Sequence, residues 1–470
     1  MMSDKQKLSA SERINTLLDD YSFVEIGAEV TARTTDFNVS AADTPKDGVI
    51  TGYGQINGRL VYVYSQDASV FGGAIGEMNA KKINAIYKLA MKVGAPVIGL
   101  IDCAGLRLQE ATDALHSFGA IVKNATVASG LIPQVTAVFG NCGGGIAVLA
   151  ALSDFTFMVD GAKLFINSPN AIKENYVEKC DTSSAEYVSS STSVVDKVVS
   201  SDSEALNRIR TLIDFIPSNN SEFSEGVPQD DLNRTIPDIV KIAEDASKLV
   251  NAIADDNLFI ETKPDYGKDT VTGLIKLGGA TVAVIANNAE KMSSEAADKA
   301  AQLVNFADSF NIPVLTFTCI KGFEATFESE KTLARNIANL SAAFANATVP
   351  KINVIVGNGF GTGYVVMNSK AVGADIVYAW PQAKIGTTCP KTAAEIIYSE
   401  EIDGADDKDA KIKELEKQVA DTQASAVAAA RRGYVDDIIE PDATRKRLIA
   451  AFDMLATKNE DRPYKKHVSF

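Results

Sequence analysis

The sequence predicts an α/β protein made of two tandem copies of one domain. Three observations carry that reading. Four sequence blocks recur in order, strand-like and helix-like segments alternate within each copy, and each copy holds a glycine-rich turn at the same place. The two copies are expected over residues 1–225 and 226–470.

The repeat can be read along the chain. "LLDDYSFVEI" (Leu17–Ile26) resembles "IADDNLFIET" (Ile253–Thr262), and "VITGYGQINGRLVYVYSQDA" (Val49–Ala68) resembles "TVTGLIKLGGATVAVIANNA" (Thr270–Ala289). "KLAMKVGAPVIGLIDCAG" (Lys88–Gly105) resembles "NFADSFNIPVLTFTCIKG" (Asn305–Gly322). "NATVASGLIPQVTAVFGNCGGGIAV" (Asn124–Val148) resembles "NATVPKINVIVGNGFGTGYVV" (Asn346–Val366). Thr51 and Thr272 lie 221 residues apart, Pro96 and Pro313 217, and Asp154 and Asp375 221. Chance does not keep four blocks in order at a nearly constant offset.

Each copy opens with a meander of short β-branched strands ("LVYVYS"; "TVAVIAN"). A segment with apolar residues at helical spacing follows ("KKINAIYKLAMKVG"; "KAAQLVNFADSFN"). A buried strand then ends in a Gly-containing turn ("PVIGLIDCAG"; "PVLTFTCIKG"). A second helix leads to another strand, the glycine-rich turn, an apolar helix and a last strand ("DFTFMV"; "DIVYAW"). Such alternation implies a sheet with covered faces. The polar stretch Ile216–Asp238, with three prolines, is the expected linker.

The glycine-rich turns, "VFGNCGGGIAV" and "VGNGFGTGYVV", are not phosphate loops, because no Lys-Ser/Thr follows them. In the second turn Gly357, Gly359, Gly361 and Gly363 also miss the dinucleotide spacing. A bare strand-to-helix corner can instead aim adjacent amides at one oxygen. Each such donor lowers a barrier by about 2.7–4 kcal/mol as charge develops there. Close helix–strand packing would need glycine too, but the same turn at equivalent places in both copies favours function.

Composition narrows the rest. A net charge of −15 argues against a nucleic-acid footprint. The first residues, "MMSDKQKLSASERINTLL", carry no apolar leader, and Thr136–Leu152 is too short to span a bilayer, so a cytoplasmic protein is expected. Five scattered cysteines without a CxxC pair suit a reducing compartment and argue against a zinc ribbon. With only His116 and His467, neither a His-rich metal site nor histidine-based general catalysis is expected. No metal site is expected at all.

These residues resemble the carboxyltransferase subunits of biotin-dependent acyl-CoA carboxylases and decarboxylases, such as the propionyl-CoA carboxylase β subunit and the methylmalonyl-CoA decarboxylase α subunit. The likeness rests on "DGVITGYGQINGRLVYVYSQDASVFGGAIGEMNAKKI" (Asp47–Ile83), "IDCAGLRLQE" (Ile101–Glu110), the second glycine-rich turn and "AAARRGYVDDIIEPDATRKRLIAAF" (Ala428–Phe452). It implies two crotonase-like domains, each a spiral of strand-strand-helix units. It also implies transfer of a carboxyl group between biotin and the α-carbon of a short-chain acyl-CoA such as methylmalonyl-CoA. Gly144 and Gly145 would then hold the thioester oxygen, and Thr362 and Gly363 the ureido oxygen of biotin.

By the same resemblance, Gly72, Gly73, Ala74, Gly105, Leu106, Arg107, Gly143, Lys81 and Lys82 would surround the CoA thioester, the three cations serving its phosphates. Gly361, Gly322, Phe323 and Val365 would surround biotin. The tripeptide Ala90-Met91-Lys92 mimics a biotinylation site but sits in a helical segment, so biotin is expected on a separate biotin carboxyl carrier protein. Further partners implied are a biotin carboxylase or a membrane-embedded decarboxylase subunit, which would hold the protein at the inner face of the membrane. Copies of this chain would form a hexamer, a trimer of dimers.

Three segments depart from the family pattern: Glu174–Val195, Cys319–Phe327 and Gly386–Ala393. They motivate one alternative, a non-catalytic or altered-specificity scaffold subunit. Another alternative, a biotin-independent hydratase or isomerase, needs a carboxylate facing the thioester, and the helix after Gly145 offers none before Asp154.

Overall fold

Asn57-Gly58 and Gly278-Gly279 make the hairpin turns from which each half of the fold grows, with φ of 49°, 78°, 64° and 88°. Two consecutive left-handed residues are the type I′ signature, whose twist matches that of the flanking strands. A computed structural model describes residues 7–35, 37, 39–173, 179–223 and 226–461. The chain divides into two compact units, Met1–Phe223 and Ser224–Phe470.

In the first unit the hairpin joins β2 (Val49–Ile56) to β3 (Arg59–Gln66), paired from Val49↔Gln66 to Ile56↔Arg59. β1 (Val24–Glu25) lies antiparallel on its outer edge. β4 (Val97–Cys103), β5 (Gln134–Gly143), β6 (Phe155–Val159) and β8 (Lys197–Val199) then add in parallel, giving the order β1-β2-β3-β4-β5-β6-β8. Every residue of β4 is buried, as expected of a parallel strand covered on both faces. The helix Glu77–Val93 buries Ala80, Ile83, Ile86, Tyr87 and Ala90, a stripe at helical spacing. A three-residue strand, β7 (Lys163–Phe165), returns to lie parallel to the far end of β5.

The second unit repeats this plan. β9 (Phe259–Thr262), β10 (Thr270–Leu277), β11 (Ala280–Asn287), β13 (Val314–Ile320), β15 (Lys351–Phe360), β16 (Ile376–Ala379) and β18 (Asp437–Ile438) form its sheet in that spatial order. β17 (Lys384–Gly386) lies on β15 as β7 lies on β5. A separate ladder joins β12 (Lys291–Met292) to β14 (Gly322–Phe323), matching the Ile75–Leu106 bridge of the first unit. Between Phe215 and Ile239 the described residues form neither helix nor strand.

Equivalence extends to side chains. Asp154 and Asp375 each accept from the amide that opens the third parallel strand of their unit, Gln134 and Lys351, at 2.8 Å. Asp19 accepts from both hairpin amides, Asn57 and Gly58, and from Arg210. Asp255 accepts from Gly278, Gly279 and Arg445. Lys82 and Lys299 are buried and donate to backbone carbonyls, Lys46 and Val49 in one unit, Lys263 and Tyr266 in the other.

The units differ after β17. Helices Pro390–Ile397, Ser399–Asp403 and Lys408–Thr422 gather around a small apolar cluster of Ala393, Ala394, Ile402, Leu415 and Val419. At the corresponding place the first unit has the short helix Ala185–Ser191, and residues 174–178 of the divergent stretch 174–195 lie outside the described residues. No helix among the described residues is long and apolar enough to cross a membrane.

Candidate active site

β5 ends at Gly143, and Gly144 turns the chain into the helix Ile146–Leu152 with φ of 64° and open space where a Cβ would stand. The Gly144 amide donates to the carbonyl of Phe165 at 2.8 Å. This corrects the sequence expectation for Gly144. Because β7 runs beside β5 with Gly143 opposite Phe165, the ladder takes that amide, which is not left for a ligand. Gly145 has no acceptor among the described residues. Ile146 opens the helix, where an amide has no intrahelical partner.

The second unit settles the frame. At an offset of 217, Gly144 corresponds to Gly361, Gly145 to Thr362 and Ile146 to Gly363. Gly361 has φ of 61°, the same left-handed corner as Gly144. Thr362 and Gly363 stand in the first turn of the helix Gly361–Val366, and among the described residues no bond outside that helix uses their amides. The equivalent pairs are therefore Gly145 with Ile146 and Thr362 with Gly363.

A cavity of about 760 Å³ opens on the second turn. Gly361, Thr362 and Val365 line it, as do Ile385, Ile397, Val419 and Tyr434 on its apolar side. Thr387, Thr388, Gln423 and Arg432 add polar groups. Gly322 is packed behind this turn, 3.5 Å from where a Gly363 Cβ would stand, and Phe323 is half-buried in the β12–β14 ladder. Neither lines the cavity.

Beside the first turn, Ala104–Arg107 runs against Gly72–Ile75. Ala104 donates to Gly72, Ile75 to Gly105 and Arg107 to Ile75, each at 2.9 Å. A Cβ on Gly105 would lie 3.4 Å from the Gly143 carbonyl, so this two-stranded wall abuts the turn. Gly73 and Ala74 are buried within it and Leu106 is half-buried.

Two of the three cations expected to meet CoA phosphates do not reach solvent. Arg107 is buried and held by Asp47 (2.5 Å), Glu110 (2.6 Å) and the Ala74 carbonyl (3.1 Å). The Lys82 ammonium is held by carbonyls, and burial pushes its pKa down to about 8. Only Lys81 is exposed, in a surface pair with Glu77 that is weak enough to exchange for another anion. His116 is exposed on the helix Ala111–Ala128, and His467 lies outside the described residues. Among the described residues no three His, Cys, Asp or Glu side chains gather as a metal site.

A repeated α/β unit whose glycine turns leave amides unused at helix starts, one turn lining a roomy cavity, has the geometry of an oxyanion-stabilising enzyme rather than of a nucleotide binder. The family model for the carboxyl transferase domain matches residues 2–470, and the chain belongs to that family. The carboxyltransferase subunit of propionyl-CoA carboxylase from Haloferax mediterranei is 40% identical over 481 residues, covering 99% of this chain and 93% of its own. The α subunit of methylmalonyl-CoA decarboxylase from Propionigenium modestum is 39% identical over 478 residues, covering 98% of this chain and 92% of its own. Transcarboxylase 12S, solved as a hexamer with methylmalonyl-CoA bound, superimposes with a TM-score of 0.92 at 35% identity, over 98% of this chain and 92% of that one. The protein is a carboxyltransferase, and its fold is the tandem crotonase-like α/β arrangement expected from the sequence.

Proposed function

We propose that this chain moves a carboxyl group between biotin, borne on a separate carrier protein, and a short-chain acyl-CoA of the propionyl/methylmalonyl kind. The observation that carries the reading is the pair of amide-presenting turns at equivalent repeat positions, one per unit. The Gly145 and Ile146 amides hold the thioester oxygen as it gains enolate charge, and each such donor lowers the barrier by about 2.7–4 kcal/mol. Thr362 and Gly363 hold the ureido oxygen of biotin. The cavity suits that group, since Thr362 lines it together with apolar side chains that would enclose a small bicyclic ring. When bound, biotin supplies the nitrogen that carries the carboxyl group and can take the α-proton, so the chain needs no histidine base.

The carboxylate nearest after the first turn in sequence, Asp154, is bound to the Gln134 amide, which disfavours hydratase chemistry there. Domain roles follow: 1–225 serves the acyl-CoA and 226–470 the biotin. Copies associate as a cytoplasmic hexamer, and a biotin carboxylase or a membrane-embedded decarboxylase subunit completes the complex. The test mixes the protein with a biotinylated carrier and carboxyl-labelled methylmalonyl-CoA. Label that reaches the carrier and is blocked by avidin is expected. No transfer from any short carboxyacyl-CoA would overturn the reading.

A further inference from the structure

We infer that Arg107 is a positioning residue for carboxyl transfer, which sets the wall beside the thioester-holding turn without touching substrate. The inference rests on the carboxyltransferase reading of the first unit. Arg107 is 1% exposed, and both terminal nitrogens of its guanidinium are used, while Nε has no partner among the described residues. One nitrogen meets both Asp47 and Glu110, and the other donates to the Ala74 carbonyl. The Phe71 ring lies 5.4 Å from the guanidinium carbon. Phe71 has φ of 51°, a left-handed conformation that a bulky residue rarely adopts, so something must hold it there.

The two carboxylates extend the grip. Glu110 also accepts the Glu77 amide at 2.5 Å, fixing the start of the helix Glu77–Val93, and Asp47 accepts the Asn79 amide at 2.7 Å. Burial raises the Asp47 pKa, with Glu110 adding to the rise and Arg107 opposing it. One cation thus ties the residues before, within and after Gly72–Ile75 to Ala104–Arg107. That second segment abuts Gly143, one residue from the turn.

The other unit shows that the backbone pairing does not need this cluster. There Glu324 donates to Met292 at 2.9 Å, the counterpart of Arg107 donating to Ile75. At the same offset, however, Glu324 replaces Arg107 and Phe327 replaces Glu110. The ladder forms in both units, while among the described residues the Arg107–Asp47–Glu110 cluster beside it belongs to the first. The cluster's work is therefore fixing position rather than making the ladder. Displacing a reacting group by about 1 Å costs on the order of a hundredfold in rate.

The experiment compares wild type with Arg107→Lys, Arg107→Met and Glu110→Gln in the assembled complex. Carboxyl transfer is followed with methylmalonyl-CoA and with methylmalonyl-pantetheine, which lacks the nucleotide phosphates. Melting temperature and oligomeric state are recorded for each. Expected is a kcat lowered about tenfold or more with both thioesters alike, in the order Met below Lys below wild type, with KM within about twofold. Glu110→Gln keeps the side-chain size but turns an NH2 towards one of the two N–H donors that Glu110 accepts, and it is expected to lose more kcat than its loss of folded fraction explains. A rise in KM confined to the CoA thioester would show phosphate contact and overturn the inference. So would activity lost only in step with the folded fraction, or no change at all. Absence of transfer by the wild type would instead overturn the functional reading itself.

Discussion

The amide of Gly144 and the carbonyl of Phe165 are hydrogen-bonded at 2.8 Å, and under the proposed function this bond moves the oxyanion pair one residue along the chain. Gly144 then serves the turn by its backbone angle and not by its N–H. Gly144→Ala should cost about 1–2 kcal/mol through its left-handed φ, since no atom crowds the new Cβ, while leaving most of the turnover. Urea unfolding and kcat measured together check both halves of that statement.

Gly145→Ala should behave in the opposite way. Its Cβ would meet the Phe118 ring at 2.9 Å, so the turn must shift while stability changes little. A kcat reduced by tens to hundreds of fold is expected, by analogy with the loss of about one oxyanion donor. Adding Phe118→Leu opens the space and should recover much of the rate in the double variant.

The cavity wall offers a cleaner separation of the two substrates. Ile397 lines it from the helical segment after β17 and is 57% exposed, so Ile397→Ala should leave the melting temperature nearly unchanged. KM for the biotinylated carrier, or for free biotin, should rise several-fold while KM for the acyl-CoA stays put. A change confined to the acyl-CoA would contradict the assignment of this cavity to biotin.

The hairpin carboxylates should differ in worth. Arg445 has no exposed side-chain surface, whereas the Arg210 side chain is 25% exposed. Asp255→Ala leaves the buried cation with the Asp231 carbonyl and one longer carboxylate contact, Asp230 at 3.3 Å, and should cost about 3 kcal/mol. Asp19→Ala should cost about 1 kcal/mol. Chemical denaturation of the two variants ranks them.

Two pH effects follow from burial. The Lys82 and Lys299 ammonium groups titrate at about 8 in the fold against 10.5 in the open chain, because burial disfavours their charged form. Between those values the unfolded chain binds more protons, so this contribution favours the folded state increasingly as pH rises from about 8 to 10.5. The stability of wild type relative to Lys299→Met should therefore improve between pH 7.5 and 9.5.

Thiol reactivity gives the second effect. Hydrogen bonds from Thr392, first from its side chain and then from its backbone, hold the Cys389 pKa below the usual thiol value. Burial pushes Cys103 up to about 11 and Cys142 higher. Iodoacetamide near pH 7.5 should label Cys389 well before either buried thiol, as read by peptide mass spectrometry.

The sequence made the fold legible wherever a period was long enough to register. Eight-residue hairpin strands, helical stripes such as Ala80–Ala90 and a constant repeat offset all depend on local pattern. What stayed hidden depends on return from a distance. β7 is three residues long and carries no period, so the loss of the Gly144 amide to Phe165 could not be read. Arg107 and Lys82 look like surface charges in a string of letters. Their burial is decided by Asp47, 60 residues before Arg107, and by two carbonyls more than 30 residues before Lys82. Of the cavity wall, Gly361, Thr362 and Val365 could be anticipated, but Ile397, Val419 and Tyr434 could not. They arrive from helices and a turn whose own spacing says nothing about where they fold back.

Asp19 sits near the start of its unit and Arg210 near its end, yet both grip the same hairpin, and Asp255 with Arg445 does likewise. A domain whose head and tail are stapled to one corner can be copied end to end in a gene with little new connector. It can equally be cut at a surface loop and rejoined through its old termini. The tandem architecture is thus the outcome such a closed unit makes cheap, and each unit should tolerate circular permutation at that corner.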